Sequence, residues 1–229
     1  MAGGTAFGKA SAPVQVDVWS DIACPFCYMG TTALSQAIAR SEHPDRVQVT
    51  YHSFELVPQL TGRFEGSIDE FLAEEQRVPI TQAKAMNQQL AERFATLGLE
   101  YRHEVMVVAG TRSAHRLIHF ATEQGQQYPM VRRLFRAQFH DGIDVSDHEA
   151  LADLAAEVAL DRASALEALT SSAYEERVAA DIEQARDLGV RGVPFFVFEG
   201  KYAISGAQPV EAFLQALGTV WSEKAAVGS

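Results

Sequence analysis

The strongest constraint on this chain is the motif Cys24-Pro25-Phe26-Cys27, which directly follows an alternating apolar stretch from Val14 to Trp19. The stretch predicts a β-strand, and the segment from the motif to about Ala39 predicts a helix. The cysteines therefore lie where a strand meets a helix. Free N–H groups and the positive end of the helix dipole can stabilise an exposed thiolate there. Because one helical turn brings the second thiol back to the first, we predict a thiol–disulfide exchange centre.

Two other uses of the cysteine pair remain open. A Cys-x-x-Cys pair can form half of a zinc site, but the 229 residues contain only these two cysteines. Two of the seven histidines would have to complete the site, and none has zinc-finger spacing. The thiols could also be inert, although Pro25 suits the first position of a helix whose start favours a reactive thiolate. We expect exchange chemistry and no metal.

Charge and composition narrow the classes of partner. A net charge of −11 disfavours nucleic acid and anionic membrane surfaces. No apolar run approaches the roughly eighteen residues that a membrane span requires. Residues 1–12 lack the apolar core of a signal peptide, and we expect them to form a disordered tail. The expected location is the cytoplasm, where a lone cysteine pair is more often catalytic or redox-sensing than structural.

A second alternating stretch, Val47 to Phe54, predicts another strand. About thirty residues with a helix inside join the two strands, so they should be parallel. From Ile68 to Leu188 the patterns are helical, apart from one extended piece near Glu104 to Val108. The pattern therefore predicts an all-helical segment in the middle of the chain.

The end of the chain returns to β structure. Residues 193–198 and 202–205 predict a hairpin around Glu199-Gly200-Lys201. A final helix should run from Pro209 to about Leu217. The expected fold class is α/β, a thioredoxin fold with a large all-helical insertion. The predicted units are a tail at 1–12, a discontinuous thioredoxin-like domain at 13–62 and 189–220, and an insert at 63–188.

Several residues predict helix ends. Ser146 and Glu149 form a capping-box pattern, and Asp161 is the expected N-cap of the next helix. Ser113 is a candidate N-cap near the middle of the insert. Gly189 should end the last insert helix.

Four segments resemble the DsbA-like thioredoxin superfamily, and specifically its FrnE-type branch. They are Asp21-Ile22-Ala23-Cys24-Pro25-Phe26-Cys27-Tyr28-Met29-Gly30, Thr111-Arg112-Ser113-Ala114-His115-Arg116-Leu117, Gly189-Val190-Arg191-Gly192-Val193-Pro194-Phe195-Phe196-Val197 and Ser205-Gly206-Ala207-Gln208. The resemblance implies a protein dithiol–disulfide oxidoreductase. It also implies that Cys24 attacks, that Cys27 resolves the mixed disulfide and that Pro194 is a cis-proline facing them. A related branch, similar to kappa-class glutathione transferases and chromene-carboxylate isomerases, has serine where this chain has Cys24.

Residues around the pair are candidate substrate contacts. Proline has no backbone N–H to donate to a neighbouring strand, so Pro194 must lie at the start of the predicted strand or on a special turn. The Val193 backbone could pair with an extended substrate beside the sulfurs, and an ordinary trans-proline is the alternative. Pro25 and Phe26 lie between the cysteines and should contact substrate. Trp19 and Tyr28 could complete an apolar rim.

Three further residues are candidate accessory groups. Asp17 in the first strand could accept the Cys27 proton through water. A salt bridge or a solvent-facing strand end is the favoured alternative, because a buried carboxylate is costly unless paired. His115 and Arg116 could line the cleft over Cys24, or simply be packed or solvated.

The sequence thus predicts electron exchange between the Cys24–Cys27 pair and protein or small-molecule disulfides. No bound cofactor is expected, although glutathione could serve as redox partner. The alternatives are a glutathione-dependent transferase or isomerase and a non-catalytic peptide-binding module.

Overall fold

The computed structural model of the protein describes residues 13–227, so the predicted tail at 1–12 lies outside the described residues. A four-stranded sheet carries the fold, with its strands in the order β2-β1-β3-β4. The strands are β1 (Val14–Ser20), β2 (Val47–Ser53), β3 (Phe195–Phe198) and β4 (Tyr202–Ser205). β1 is parallel to β2, as predicted, and antiparallel to β3, which pairs with β4 in the predicted hairpin.

The rest of the described chain is mainly helical. In chain order the α-helices are α1 (Pro25–Arg40), α2 (Ile68–Gln76), α3 (Ile80–Thr96), α4 (Arg112–Glu123), α5 (Gln127–Arg136), α6 (His148–Glu157), α7 (Arg162–Thr170), α8 (Glu175–Asp187) and α9 (Val210–Val227). Short 3-10 turns span Pro44–Arg46 and His103–Val105, and a π-helical turn spans Ala137–Asp141. Within residues 13–227, none of these helices is long and apolar enough to cross a membrane.

The sheet is covered on both faces because alternate side chains of each strand point in opposite directions. Val16 and Val18 are buried in a cluster that includes Leu34 of α1 and Phe213 of α9. Trp19 packs in a separate cluster with Ala185 of α8. This strand–helix–strand unit, followed by helices, a hairpin and a final helix, is the predicted thioredoxin fold with a helical insertion.

The contacts between the insert and the sheet domain include an aromatic stack and a set of hydrogen bonds. Tyr28 of α1 stacks on Phe135 of α5, with 5.1 Å between ring centroids. Asp181 of α8 accepts a hydrogen bond from the Trp19 indole and another from the Ser53 backbone. The last helix before the predicted boundary at residue 188 therefore packs directly on the sheet.

Some predicted helix ends agree with the structure. Asp161 caps α7 by accepting from the Ser164 N–H at 2.8 Å. Gly189 follows α8 with a φ of 72°, and the next N–H returns to Ala185 O at 2.9 Å. Glycine suits this position because side chains disfavour left-handed backbone.

Other local predictions were wrong. The N-cap of α6 is Asp147 rather than Ser146, because Asp147 accepts from the N–H groups of residues 149 and 150. Ser113 lies inside α4 and hydrogen-bonds His148 instead of capping. The extended piece near 104–108 begins with a 3-10 turn. The last helix continues to Val227 instead of ending near Leu217.

Candidate active site

The cysteine motif lies at the start of α1, directly after the end of β1. Cys24 occupies the N-cap with extended backbone, and Pro25 fills the first helical position, where a missing N–H costs no bond. The Cys24 N–H donates to Asp21 O at 3.1 Å, and the Cys27 N–H donates to Cys24 O at 3.0 Å. Both cysteines are free thiols. One turn of helix therefore holds the two sulfurs together, as the spacing predicts.

The two thiols differ in their surroundings. Cys24 is 3% exposed and Cys27 is fully buried, so the expected exposed thiolate at Cys24 is wrong for this conformation. Burial, and then the neighbouring Cys24, raises the pKa of Cys27 well above its ordinary value. Cys27 is therefore held as a thiol, and a proton must leave it before its sulfur can attack.

The loop before β3 closes over Cys24. The Cys24 thiol donates to Val193 O at 3.6 Å, and the Val193–Pro194 peptide bond is cis. The Val193 N–H has no hydrogen-bond partner among the described residues, so it is free to pair with a bound chain. A Cβ on Gly30 would lie 2.9 Å from Pro194 Cγ, so only glycine lets α1 approach the proline this closely. The predicted substrate residues thus lie beside the sulfurs.

Phe26 is the apolar side chain of the motif that reaches the surface, with 38% exposed. The Arg93 guanidinium of α3 lies 5.2 Å from its ring centroid, in cation–π geometry. Trp19 and Tyr28 are buried and do not extend this rim, contrary to the prediction. Sequence reasoning missed Arg93, because nothing local to α3 indicates a contact with residue 26.

Asp17 forms the salt bridge that was the favoured alternative. Its carboxylate lies 2.8 Å from His52 Nε2, and the other ring nitrogen of His52 lies 3.0 Å from Asp181. Burial opposes protonation of His52, but the hydrogen bonds that its ring donates to Asp17 and Asp181 raise its pKa to about 9. Burial acts to raise the pKa of Asp181, yet His119, His52 and the backbone N–H of residue 53 hold it well below its usual range.

His115 is buried next to Asp21 rather than exposed in a cleft over Cys24. Its Nε2 lies 3.5 Å from Asp21 Oδ1. The Asp21 carboxylate also accepts from the N–H groups of Ala23 and Leu56 at 3.2 and 2.7 Å. Burial acts to raise the pKa of Asp21, but the hydrogen bond and charge of His115 outweigh it and lower the pKa.

Asp21 is the group that sequence reasoning overlooked. Its backbone N–H points at Cys27 Sγ, at 3.5 Å. Asp21 is part of the motif-bearing segment, and a carboxylate three residues before a reactive cysteine was the available signal. The Asp21 carboxylate and the His115 ring are thus buried together, and the Asp21 backbone N–H lies beside the second sulfur.

Arg116 is buried inside the insert, where backbone carbonyls surround its guanidinium. Its guanidinium donates to Ala168 O and Ala173 O at 2.6 and 2.8 Å, and also to the carbonyl of residue 171. These carbonyls belong to the last turn of α7 and the residues just after it, where helix carbonyls lack intrahelical partners. The contacts place Arg116 away from the predicted cleft over Cys24.

Known proteins that are similar to this chain have the same fold. A family model described as a DSBA-like thioredoxin domain matches residues 15–218. The chain is 29% identical over 206 residues to the uncharacterized protein YwbO of Bacillus subtilis (strain 168), covering 89% of this chain and 96% of that protein.

Solved structures share the architecture over nearly the whole chain. The probable DsbA oxidoreductase SCO1869 of Streptomyces coelicolor is 38% identical, with a TM-score of 0.85 over 92% of this chain and 91% of that one. The cytosolic disulfide reductase DsbM of Pseudomonas aeruginosa, solved with GSH, is 18% identical, with a TM-score of 0.64. That likeness covers 91% of this chain and 99% of DsbM, and shows the fold alone.

Proposed function

Because this chain belongs to the DSBA-like thioredoxin domain family, we propose that Cys24 and Cys27 exchange electrons with disulfides of proteins or small thiols. The observation that carries the proposal is the asymmetry of the pair. Cys24 lies at the helix start against the Val193 carbonyl, whereas Cys27 is fully buried with a raised pKa. Burial disfavours a thiolate at Cys27, so Cys24, which lies beside the substrate-facing proline loop, is the sulfur that we assign to the attack.

The reaction has two exchange steps. The Cys24 thiolate attacks one sulfur of a substrate disulfide, which forms a mixed disulfide and releases the other substrate sulfur as a thiolate. Cys27 then loses its proton and attacks the Cys24 sulfur. The bond from Cys24 to substrate breaks, the substrate leaves as a dithiol, and its two electrons have come from the Cys24–Cys27 pair. The reverse sequence oxidises a dithiol.

Substrate contacts follow from the surface beside Cys24. An extended segment could pair with the free Val193 N–H next to Pro194, while Phe26 and Pro25 contact the side chains that flank its cysteine. Glutathione is the proposed small-molecule partner, because DsbM, which shares this fold, was solved with GSH. We place the activity in the cytoplasm, as in DsbM, and assign the chain to the FrnE-type branch.

The test compares the two single serine variants in reduction of insulin disulfides by a dithiol. Cys24→Ser should abolish turnover, and Cys27→Ser should accumulate mixed disulfides with insulin. Trapping by Cys24→Ser alone would reverse the roles. Full turnover by both variants would refute exchange at this pair, and glutathione affinity that survives Cys27→Ser without any turnover would support a transferase instead.

The equilibrium reduction potential against glutathione then gives the direction of electron flow. A value near that of the most oxidising family proteins indicates an oxidase, and a value near that of thioredoxin indicates a reductase.

A further inference from the structure

A large open cavity lies along one face of α5, and we call it the Arg132 cavity. It encloses about 730 Å³, which is within the usual range of small-molecule sites. Tyr128, Arg132 and Arg136 are four residues apart, so they lie on the same face of α5 and line one wall. The chain after α3 and Tyr28 of α1 contribute to the other walls.

Tyr28 presents an unpaired hydroxyl to this cavity. Its ring stacks on Phe135 and meets the edge of Phe94, so only 9% of the residue is exposed. The hydroxyl makes no hydrogen bond within residues 13–227. Burial raises the pKa of Tyr28, while the nearby charges of Arg132 and Arg136 act against that rise. The phenol is therefore a neutral donor whose proton is available to a ligand.

Arg132 is the cation of the wall that has no carboxylate at ion-pair distance in the described part of the chain. Its guanidinium lies 5.9 Å from the ring centroid of Tyr128, in cation–π geometry. Such a contact positions the side chain but leaves its N–H donors free, and a guanidinium fork fits a carboxylate. Arg132 can therefore offer hydrogen bonds and a full charge to an anion in the cavity.

The other arginines of the wall are already paired. Arg133 binds both oxygens of Glu157, at 2.7 and 3.1 Å, and also donates to Asp141 at 2.8 Å. Arg136 lies 3.5 Å from the same Asp141 carboxylate. These pairs leave little positive charge from Arg133 and Arg136 for a ligand.

The remaining carboxylate of the wall limits the charge that a ligand can carry. Glu100 lies 3.0 Å from His140 Nε2, and the other ring nitrogen of His140 lies 2.8 Å from Asp141. When each carboxylate is matched with its partner, Arg132 remains as the unmatched charge. A ligand with one negative charge would balance it, whereas a compact anion of higher charge would be repelled by Glu100.

The rest of the lining is suited to an apolar group. Leu99, Pro129 and Val158 line the cavity near the polar atoms. Small-molecule sites typically combine such an apolar lining with a few polar groups that fix the orientation of the ligand.

We propose that the Arg132 cavity binds a small molecule with one carboxylate and an apolar body. Arg132 and the Tyr28 hydroxyl hold the carboxylate, and Leu99 and Val158 contact the apolar body. This binding site goes beyond the exchange function and does not depend on it, because neither cysteine lines the cavity.

The test is isothermal titration calorimetry of the reduced full-length protein with phenylbutyrate, which has one carboxylate and an apolar body. Its uncharged amide has the same shape, and inorganic phosphate is a compact anion of higher charge. Arg132→Met removes the charge and keeps an apolar stem. Arg132 is exposed, so this variant should fold. Tyr28→Phe removes only the hydroxyl and keeps the ring stack.

Arg177→Met is the matched control for Arg132→Met. Arg177 also covers a tyrosine ring, 5.3 Å from the centroid of Tyr174, but it lies outside the cavity. Cys24→Ser is the control for binding at the cysteine pair, and it should bind phenylbutyrate as the wild type does.

We expect the wild type to bind phenylbutyrate with a Kd below about 1 mM, and the amide and phosphate at least about tenfold more weakly. Arg132→Met should weaken binding at least about tenfold and Tyr28→Phe at least about threefold, with Arg177→Met within about twofold of the wild type. No binding by the wild type, equal affinity for the amide or phosphate, or wild-type affinity in either cavity variant would overturn the proposal. Loss of binding in Cys24→Ser would also overturn it, since the ligand would then lie at the cysteine pair.

Discussion

The partly buried ion pairs of His52 predict a specific dependence of stability on pH. His52 lies between Asp17 and Asp181, and its pKa rises from 6.5 to about 9. Each pKa unit corresponds to about 1.4 kcal/mol, so the shift is worth at most about 3 kcal/mol. Asp17 is 36% exposed, so solvent screens its contribution to the pKa shift. The stabilisation that remains is about 2–3 kcal/mol. The lowered pKa of Asp181 arises partly from the same contact with His52, so it adds no separate stabilisation to this figure.

The sign follows from the direction of the shift. A raised pKa means that the folded protein binds the proton more tightly than the unfolded chain. The stabilisation is therefore complete below pH 6.5 and is lost as the pH rises through about 9. His52→Gln removes the titrating group, so the difference in unfolding free energy between wild type and variant should shrink by about 2–3 kcal/mol over that range.

Urea denaturation at several pH values measures this difference. His103→Gln is the control, since the described part of the chain places no carboxylate within ion-pair distance of His103. It should follow the wild type at every pH. A wild-type to His52→Gln difference that stays constant within about 0.5 kcal/mol would show that the ion pairs do not hold the proton as inferred.

Three further perturbations test the site and its support. Gly30→Ala places a Cβ 2.9 Å from Pro194 Cγ and should lower the free energy of unfolding by about 1–3 kcal/mol, measured by thermal unfolding. Gly218→Ala is the control: its Cβ would meet open space, so the variant should be slightly more stable than the wild type. Equal effects of the two variants would refute the contact. Arg116→Met leaves carbonyls in the last turn of α7 and just after it without their donor. It should cost about 2–3 kcal/mol in urea denaturation while leaving resolution by Cys27 unchanged. Phe26→His puts a cation near the Cys24 thiolate and should make the pair more oxidising in equilibrium with glutathione; an unchanged potential would show that the contact is fully screened.

The sequence was sufficient for the framework because its signals are local. The alternation before Cys24, the helix after it and the hairpin turn after β3 each depend on neighbouring residues, and the structure confirms them. Helix ends were less predictable, because a serine and an aspartate side by side compete for one cap. At α6 the aspartate is the one that accepts the free N–H groups.

The contacts that the sequence analysis missed join residues far apart in the chain. Asp21 and His115 meet across 94 positions of sequence, and Arg93 meets Phe26 across 67. No periodicity or cap reports such a contact. His115 was expected to line the cleft over Cys24, but it lies buried beside Asp21, since the pattern of α4 does not show which element its buried face covers.

The stacking of Trp19 on His52 gives the protein an internal optical probe. The two rings lie 4.6 Å apart with 17° between their planes, and the chain has only two tryptophans. A protonated imidazole quenches indole emission at contact distance, whereas a neutral one does so weakly. In a Trp221→Phe background, the fluorescence of Trp19 should therefore brighten as the pH rises through about 9, following the charge of His52 from within the folded state.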